Sequence, residues 1–424
     1  MATGTGVIST AAGNGTGGRS GDGGAATSAQ LFFPSGVAAD SEGNVFIAES
    51  DSHRIRRVAS GTGGIVTVAG QLDPEGMGPT AQAALATPEA VALGDGMALF
   101  AGGASGTAQA LRDGDGLLEV VAGRYPQPVA TADFARFRTA SFGDVDGIAY
   151  DAAAGRIYLT ETTAHRLWTI DPVDLADETT WTIALLAGDA TEPAGPGAFA
   201  DGPALAARFD SPAGLYFDDV ARVLYVADAG NHVIRAMPIA LDGTAGLVTT
   251  IAGTPRTLGY FGDGGAAGDA LLYGPTAVTR CAASGDLYIA DTTNHRVRRV
   301  EAGTGVITSV LGDGVPGSAG QGAPAATFPV DAPRGIACDA AGNVFVTSRT
   351  TVRLLPATIA LDAATGVVDG TGLALTIFGA PPRTDYPASV SSCLTAVTVV
   401  DDVTTWATDS CLGTLVELWR QPAP

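Results

Sequence analysis

The chain repeats one unit, and this repeat limits the possible folds more than any other feature. In the stretch 33–70, four short apolar runs rich in β-branched residues each end at Gly, Asn, Asp or Ser, which is typical of strands bounded by turns. The glycine that ends the fourth run recurs at Gly13, Gly70, Gly123, Gly188, Gly253, Gly312 and Gly379. These spacings of 53 to 67 residues predict a series of four-stranded antiparallel sheets.

The two ends of the chain complete each other in this pattern. A fourth strand precedes Gly13 without a sheet of its own, whereas the 45 residues after Gly379 have room for only three strands. We therefore predict an all-β fold, a seven-bladed β-propeller of four-stranded antiparallel blades, closed by the N-terminal strand completing the last blade. The predicted blades of this single domain, residues 1–424, are 31–70, 86–123, 140–188, 207–253, 271–312, 329–379, and 392–424 with 5–13.

The charge of the chain excludes two classes of partner. With 44 acidic and 23 basic residues the net charge is −21, which repels phosphate backbones and anionic lipid surfaces, so we expect neither nucleic acid nor membrane as a partner. No apolar run approaches the roughly 18 residues of a membrane helix, and no basic and apolar leader follows Met1. Because Met1 lies almost inside a strand, the chain is compatible with a fragment of a longer protein. We expect a monomer.

The longest connections all follow fourth strands. Because successive strands of a blade run in opposite directions, these connections share one face of a propeller, which we call the top face. In repeat proteins, loops that lengthen on one side usually mark the binding side. The sequence therefore predicts a loop-rich, acidic top face that contacts a partner.

The residues Pro34-x-Gly-Val-Ala-x-Asp-x-x-Gly-Asn-Val-Phe-Ile-Ala-Glu-x-x-x-His-Arg-Ile-Arg56 resemble the NHL repeat, and residues 288–298 resemble it more closely still. The resemblance is strong in units one, three, four and five, partial in six and seven, and weak in two. It implies a β-propeller, for which six blades are more common than seven. It also implies a protein or nucleic-acid scaffold, or the lyase or hydrolase activity of related propellers.

All the histidines occupy one repeat position, just after the second strand: His53, His165, His232 and His295. Since they lie on different blades, they cannot meet on one metal ion, and we predict that each ties its own turn together by hydrogen bonding. A propeller lyase that uses channel histidines would lack its ligands here. We find no Ser-His-acid arrangement and predict no catalytic residue.

Acidic residues end the second strands at Glu49, Glu161, Asp228, Asp291 and Asp409. We favour turn capping and pairing with the nearby Arg54, Arg166 and Arg296 over a carboxylate ring that holds calcium. A second acidic set, Asp40, Asp151, Asp218 and Asp339, opens the first hairpin turns and is predicted to be structural. The Gly-Asp-Gly-Gly sequences are interpreted as turns, because no helix and no lysine accompany them.

The residue after the first-strand proline, or its equivalent, is predicted to lie where the innermost strand enters the channel. These positions are Ser35, Glu89, Asp146, Thr276, Arg334 and Thr395, with Ala213 as the exception. Such a channel mouth can grip a small polar ligand, or remain a hydrated vestibule. A further alternative is a calcium site, because Glu89 resembles the first-strand Glu of propeller lactonases. We predict no cofactor other than this calcium.

The cysteines allow two arrangements. Cys393 and Cys411 should lie at the top edge of the last sheet and are the candidate disulfide, although free thiols stay open. Cys281 and Cys338 lie on the first strands of neighbouring blades, where we expect more than about 7 Å between them and no bridge. A Cys393–Cys411 disulfide would indicate a secreted or extracellular protein, and free thiols a cytoplasmic one.

Two functions remain. We favour a non-enzymatic binding scaffold that presents its acidic top face to a protein, glycan or cationic partner. The alternative is a calcium-dependent lactonase or esterase-type hydrolase with its site at the channel mouth.

Overall fold

The computed structural model of the chain describes residues 9–70, 88–94, 97–102, 107–112, 118–122, 142–171, 182–188, 196–317, 325–356, 360–361, 368–369, 394–399, 404–409 and 414–419. Almost all regular structure in these residues is antiparallel β-sheet, as the alternation of short apolar runs and turn residues predicts. No helix in this part of the chain is long and apolar enough to span a membrane.

The first three blades follow one another along the chain, and each has four strands in sequential order. Blade 1 contains Pro34–Ala39, Val45–Glu49, Arg54–Val58 and Ile65–Gly70. Blade 2 contains Pro88–Gly94, Met97–Gly102, Thr107–Arg112 and Leu118–Ala122. Blade 3 contains Ile148–Asp151, Arg156–Glu161, Arg166–Asp171 and Thr182–Ala187.

The next three blades use the same order, with an addition in two of them. Blade 4 contains Pro212–Asp218, Val223–Asp228, Val233–Pro238 and Leu247–Ala252, and Gly202–Pro203 extends its outer edge as a fifth strand. Blade 5 contains Ala277–Arg280, Leu287–Asp291, Arg296–Val300 and Ile307–Leu311. Blade 6 contains Ile336–Cys338, Val344–Ser348 and Thr351–Leu355, and its fourth strand is Ser9–Ala12.

Shorter elements complete the described structure. The C-terminal sheet contains Leu394–Val399, Thr404–Asp409 and Thr414–Trp419. Ala360–Leu361 pairs with Val368–Asp369. Single 3-10 turns are Ala26–Ser28, Ala204–Ala206, Ala229–Asn231, Ala267–Asp269, Thr292–Asn294 and Ala325–Thr327.

The first strand of each blade is innermost and contacts the first strands of its two neighbours, in the order 1 to 6 and back to 1. Glycine permits this close approach. A side chain at Gly214 of blade 4 would place its Cβ 2.6 Å from the Thr276 carbonyl oxygen of blade 5, to which the Gly214 amide donates a hydrogen bond of 2.9 Å. The Thr347 hydroxyl of blade 6 donates to the Ser35 carbonyl of blade 1 at 3.0 Å, where the ring closes.

The predicted architecture, a propeller with four-stranded antiparallel blades, is therefore present, but seven blades are not confirmed. Five sheets have four strands and one has five, and their inner strands already form a closed ring. The predicted partner of the N-terminal strand was wrong. Ser9 and Thr10 pair with Leu354 and Arg353 of blade 6, not with the last repeat, and the C-terminal sheet keeps three strands.

The partner of the N-terminal strand was predicted wrongly because the prediction relied on repeat spacing alone. Spacing counts units but does not determine which sheet receives a strand from the other end of the chain. We assigned the fourth strand of the sixth unit to residues before Gly379, most of which lie outside the described residues. The open edge of Thr351–Leu355 is instead covered by Ser9–Ala12, which satisfies the backbone groups of that edge.

The hydrophobic core is divided among the interfaces between blades. Between blades 3 and 4, for example, Tyr158 packs on Phe217 with ring centroids 5.2 Å apart, beside the fully buried Leu224. Burial of each such side chain contributes about 1.5–3 kcal/mol. No single blade could bury these faces alone, so the ring is the unit that folds.

Candidate functional site

The repeated histidines lie between blades. His165, His232 and His295 all have left-handed backbone, with φ of 58°, 61° and 53°. Their Nδ1 atoms accept hydrogen bonds from backbone amides that precede the next blade: Ser211 at 2.9 Å, Gly274 at 3.2 Å and Ala332 at 3.0 Å, respectively. An Nδ1 atom that accepts a hydrogen bond carries no proton. His53 has the same left-handed backbone.

This geometry adds a partner to the one predicted for the histidines. We expected each ring to tie its own turn; the Nδ1 atoms of His165, His232 and His295 bind amides that precede the following blade. The His232 ring also interacts with the Ala229 carbonyl of its own turn. Sequence reasoning missed the added partner because it is a backbone amide more than 35 residues away, which leaves no side-chain signal.

The acidic residues at the ends of the second strands are buried and face arginines. Asp291 is fully buried, accepts hydrogen bonds from the Tyr273 amide at 2.8 Å and the Asn294 side chain at 2.8 Å, and lies 3.4 Å from Arg298. Burial raises the pKa of Asp291 to about 6, against the opposing effects of these donors. Asp228 has the same environment, with Arg235 at 2.8 Å.

The arginine partners differ in part from the predicted ones. Arg54 and Arg56 both contact Glu49, and Arg166 contacts Glu161, at 3.1, 3.6 and 3.5 Å, respectively. In blade 5 the partner is Arg298, not the predicted Arg296. The Arg296 guanidinium instead donates to the Asn294 and Asp313 carbonyls and stacks on Tyr260 at 3.6 Å.

The same buried arginines also hold the long loops, a role that the sequence analysis missed. Each binds an aspartate of the loop that precedes its own blade: Arg56 binds Asp22 at 2.6 Å, Arg235 binds Asp201 at 2.5 Å and Arg298 binds Asp263 at 2.7 Å. The arginine side chains are fully buried and also donate to loop carbonyls. The Asp of the Gly-Asp-Gly-Gly sequence is therefore an arginine ligand.

A short apolar motif follows each of these aspartates. Its buried members are Ala26, Ala29 and Leu31, then Ala204, Ala207 and Phe209, then Ala267, Ala270 and Leu272. The common spacing Ala-x-x-Ala-x-Leu/Phe, after Asp-Gly, was the signal available in the sequence. These loops cover the outer strands of blades 1, 4 and 5, for example through the Ala26 amide bond to the Gly63 carbonyl at 2.8 Å.

The first-turn aspartates stabilise turns and, in two cases, join neighbouring blades. Asp40 accepts from the Asn44 amide at 2.7 Å, and Asp339 accepts from the Asn343 amide at 2.8 Å. Asp151 receives both terminal nitrogens of Arg222 from the next blade, at 2.5 and 2.6 Å. Asp218 similarly binds Arg280 at 2.7 Å.

The positions predicted for the channel mouth come one from each blade of the ring. They are Ser35, Glu89, Asp146, Ala213, Thr276 and Arg334, which we call the mouth. The Ser35 hydroxyl donates to the Pro88 carbonyl at 2.9 Å, and the Thr276 hydroxyl donates to the Arg334 carbonyl at 3.0 Å. Thr395 belongs to the C-terminal sheet, and its side chain lies outside the described residues, as does that of Asp409.

The charged members of the mouth act on one another. Burial raises the pKa of Glu89 to about 7, and the charge of Asp146 raises it further, whereas Arg334 and the Ser35 hydroxyl lower it. Burial also raises the pKa of Asp146, against the lowering effects of Thr162 and Arg334. Among the residues that the structure describes, none of these three charged side chains forms an ion pair. These predicted mouth positions thus bring two carboxyl groups and one guanidinium close enough to act on one another.

The cysteine arrangement differs from the predicted one. Cys281 and Cys338 form a disulfide, with a Cα–Cα distance of 5.3 Å. We expected a larger separation because they lie on neighbouring blades, but Cys281 follows the inner strand Ala277–Arg280 and Cys338 ends Ile336–Cys338, where inner strands are closest. Cys393 and Cys411 lie outside the described residues. Within those residues, no group of three or more His, Cys, Asp or Glu side chains is arranged to hold a metal ion.

Comparison with known proteins gives matches in sequence and in fold. The NHL repeat family model matches residues 33–58 and 272–300. A stretch of 110 residues, 26% of this chain, is 28% identical to the Protein SUPPRESSOR OF QUENCHING 1, chloroplastic, of Arabidopsis thaliana, and covers 10% of that protein. The chain therefore spans about a tenth of the length of this curated relative.

Two solved structures from Bacteroides thetaiotaomicron have a similar fold. A structural genomics protein of unknown function superposes with a TM-score of 0.59 at 16% identity, over 82% of this chain and 75% of that chain. An auxiliary nutrient binding protein superposes with a TM-score of 0.58 at 12% identity, over 83% and 76% of the respective chains. At these identities the likeness concerns the fold alone.

Proposed function

We propose that this chain, which carries NHL repeats and folds as a β-propeller, is a non-enzymatic binding scaffold whose ligand or partner contacts the mouth and the acidic top face around it. One observation carries this proposal: among the described residues, the Glu89 and Asp146 carboxyl groups and the Arg334 guanidinium act on one another electrostatically but form no ion pair. Elsewhere the chain pairs its buried acids with arginine, as for Asp228 and Asp291.

Charges that stay unpaired in a partly buried site cost stability unless something neutralises them. Proteins tolerate this cost at functional sites, where perturbed pKa values cluster. A bound group that pairs with these side chains would remove the cost, so part of the binding free energy is already stored in the unliganded mouth.

Two further features support a ligand-binding role. The Cys281–Cys338 disulfide is compatible with an oxidising, extracellular compartment, where we propose that the protein works. One protein of similar fold is described as an auxiliary nutrient binding protein. We propose a polar small molecule, protein or glycan as the partner class.

A calcium-dependent lactonase or esterase is the second candidate. The observation that favours it is the proximity of Glu89 and Asp146, since carboxylate oxygens are ligands that calcium prefers. In this alternative, Glu89 and Asp146 would hold the ion, which would polarise the substrate carbonyl.

A thermal-shift screen of the intact chain tests both candidates. The compounds are amino acids, short peptides, sugars, polyamines and calcium, and a parallel assay with and without calcium follows hydrolysis of lactones and esters. We expect at least one organic compound to raise Tm, with the shift lost in Glu89→Gln and Arg334→Met. The shift should be retained in Glu301→Gln, a control that removes an exposed charge just after the third strand of blade 5. Calcium-dependent turnover that Glu89→Gln abolishes would instead establish the hydrolase.

A further inference from the structure

We propose that the mouth recognises a zwitterion, either an amino acid or a short peptide; this inference rests on the proposed function. The ammonium group of the ligand lies against Glu89 and Asp146, and its carboxylate lies against Arg334.

The distribution of charge around the ring carries this assignment. Glu89 and Asp146 come from the adjacent blades 2 and 3, whereas Arg334 comes from blade 6. In a closed ring of six inner strands, blade 3 lies opposite blade 6. The mouth therefore has a negative side and a positive side across the channel, and a ligand with both charges satisfies both sides.

The surroundings strengthen each side without neutralising it. Asp51 adds negative charge near Glu89, and Asp144 does so near Asp146. On the positive side, the Arg334 and Arg349 guanidinium groups each lie 5.8 Å from the Phe33 ring. Arg349 is paired with Asp331 at 3.3 Å, which leaves Arg334 to meet the ligand. A guanidinium group can bind both oxygens of a carboxylate.

The uncharged positions argue against a ligand recognised mainly through hydroxyl groups. The Ser35 and Thr276 hydroxyls already donate to backbone carbonyls of neighbouring blades, and Ala213 has no polar side-chain atom. Their donor capacity is therefore used, which leaves the Arg334 guanidinium as the donor for the ligand and the two carboxylates as its charged acceptors. This set discriminates by charge and favours a zwitterion over a neutral sugar.

Isothermal titration calorimetry on the intact chain tests the inference. The probes are alanine, dialanine and trialanine, which separate the two charges by increasing distances. N-acetyl-dialanine lacks the ammonium group, and dialanine amide lacks the carboxylate. We expect at least one zwitterion to bind at least tenfold more tightly than both blocked peptides. Glu89→Gln, Asp146→Asn and Arg334→Met should each weaken it tenfold or more, whereas Glu301→Gln should not.

Proton linkage gives a readout that a merely structural role would not change. Because the pKa of Glu89 is about 7, an ammonium group that binds its ionised form releases a proton near neutral pH. The apparent affinity should rise about eightfold from pH 6 to pH 7.5, in proportion to the ionised fraction. The heat of binding should depend on the ionisation enthalpy of the buffer, and both effects should become smaller in Glu89→Gln, where Asp146, whose pKa is also raised, remains. The other charged groups that act on Glu89 are Asp51, Asp146 and Arg334, and all three are still present in the Glu89→Gln variant.

The outcomes separate this inference from the proposed function. If the blocked peptides bind as tightly as the zwitterions, or if none of these probes binds while another compound class binds at the mouth, the zwitterion assignment is wrong and the scaffold role stands. If no compound of any class responds to the mouth variants, both proposals are wrong.

Discussion

At the scale of single residues, the buried arginines decide how the loops are held. Arg298 is fully buried between Asp291 of its own blade and Asp263 of the preceding loop, at 3.4 and 2.7 Å. Arginine suits this place because its planar fork of donors can serve two carboxylates and several carbonyls simultaneously. The same arrangement recurs around Arg56 and Arg235. Substitution of one of these arginines therefore measures how much such a buried contact contributes to the free energy of unfolding.

Arg298→Met should lower the free energy of unfolding by about 3 kcal/mol or more, because it leaves Asp291 buried without its cation. Arg299→Met is the matched control. Arg299 lies on the same strand but is 35% exposed and makes only distant ion pairs, so its loss should cost less than about 1 kcal/mol. Urea unfolding gives the free energy of unfolding of both single variants and of the double variant Arg298→Met with Asp291→Asn, which also removes the carboxylate left without its cation. Equal losses in the two single variants would contradict the structural role of Arg298.

His232 makes stability depend on pH. Burial lowers its pKa below the usual value, so the unfolded chain binds a proton more readily than the native protein. The stabilising contribution is therefore fully present above pH 6.5 and is lost as pH falls through the lower pKa of the native state. In His232→Asn the side-chain oxygen can still accept from the Gly274 amide, and Asn tolerates the left-handed backbone. We expect Tm to fall less between pH 7.5 and pH 5.5 in His232→Asn than in the unmodified chain. An equal fall in both proteins would contradict the role of His232.

At the scale of elements, sequence reasoning succeeded where one unit contains the signal. The strand order and the first-turn roles of Asp40 and Asp339 follow from patterns within a repeat. It failed where two units meet. The partner of His165, the Arg235–Asp201 contact and the Cys281–Cys338 bridge join distant residues whose separation depends on how closely the inner strands approach.

The Cys281–Cys338 disulfide provides a test at this scale because it joins blades 5 and 6. The bridge closes a loop with a sequence separation of 57 residues and so lowers the conformational entropy of the unfolded chain. This should raise the free energy of unfolding by about 4 kcal/mol. Replacing both cysteines by alanine should remove that amount in urea unfolding. Cys393→Ala with Cys411→Ala is the control, and peptide mapping without reductant shows whether that second pair is bridged. An unchanged midpoint in the first variant would contradict the assigned bridge.

At the scale of the whole molecule, the ring depends on a contact between the two ends of the described propeller. Ser9–Ala12 supplies the outer strand of blade 6, and the chain turns at Gly13, which has φ of 89°. A Cβ at Gly13 would lie 2.3 Å from the Thr350 carbonyl oxygen, so the turn requires glycine. Because each blade buries its faces against its neighbours, loss of this strand should weaken the closure between blades 6 and 1 and thereby the entire ring.

Engineered disulfides can distinguish this closure from the seven-bladed alternative. Ser9 pairs directly with Leu354, so Ser9→Cys with Leu354→Cys should form a bridge and raise the free energy of unfolding by up to about 5 kcal/mol, since it closes a very long loop. Ser9→Cys with Leu415→Cys places the second cysteine on Thr414–Trp419, the edge strand of the C-terminal sheet that a seventh blade would offer. Peptide mapping should find the first bridge and not the second. The reverse result would mean that the N-terminal strand completes the last repeat, and the ring order that places Asp146 opposite Arg334 would have to be abandoned.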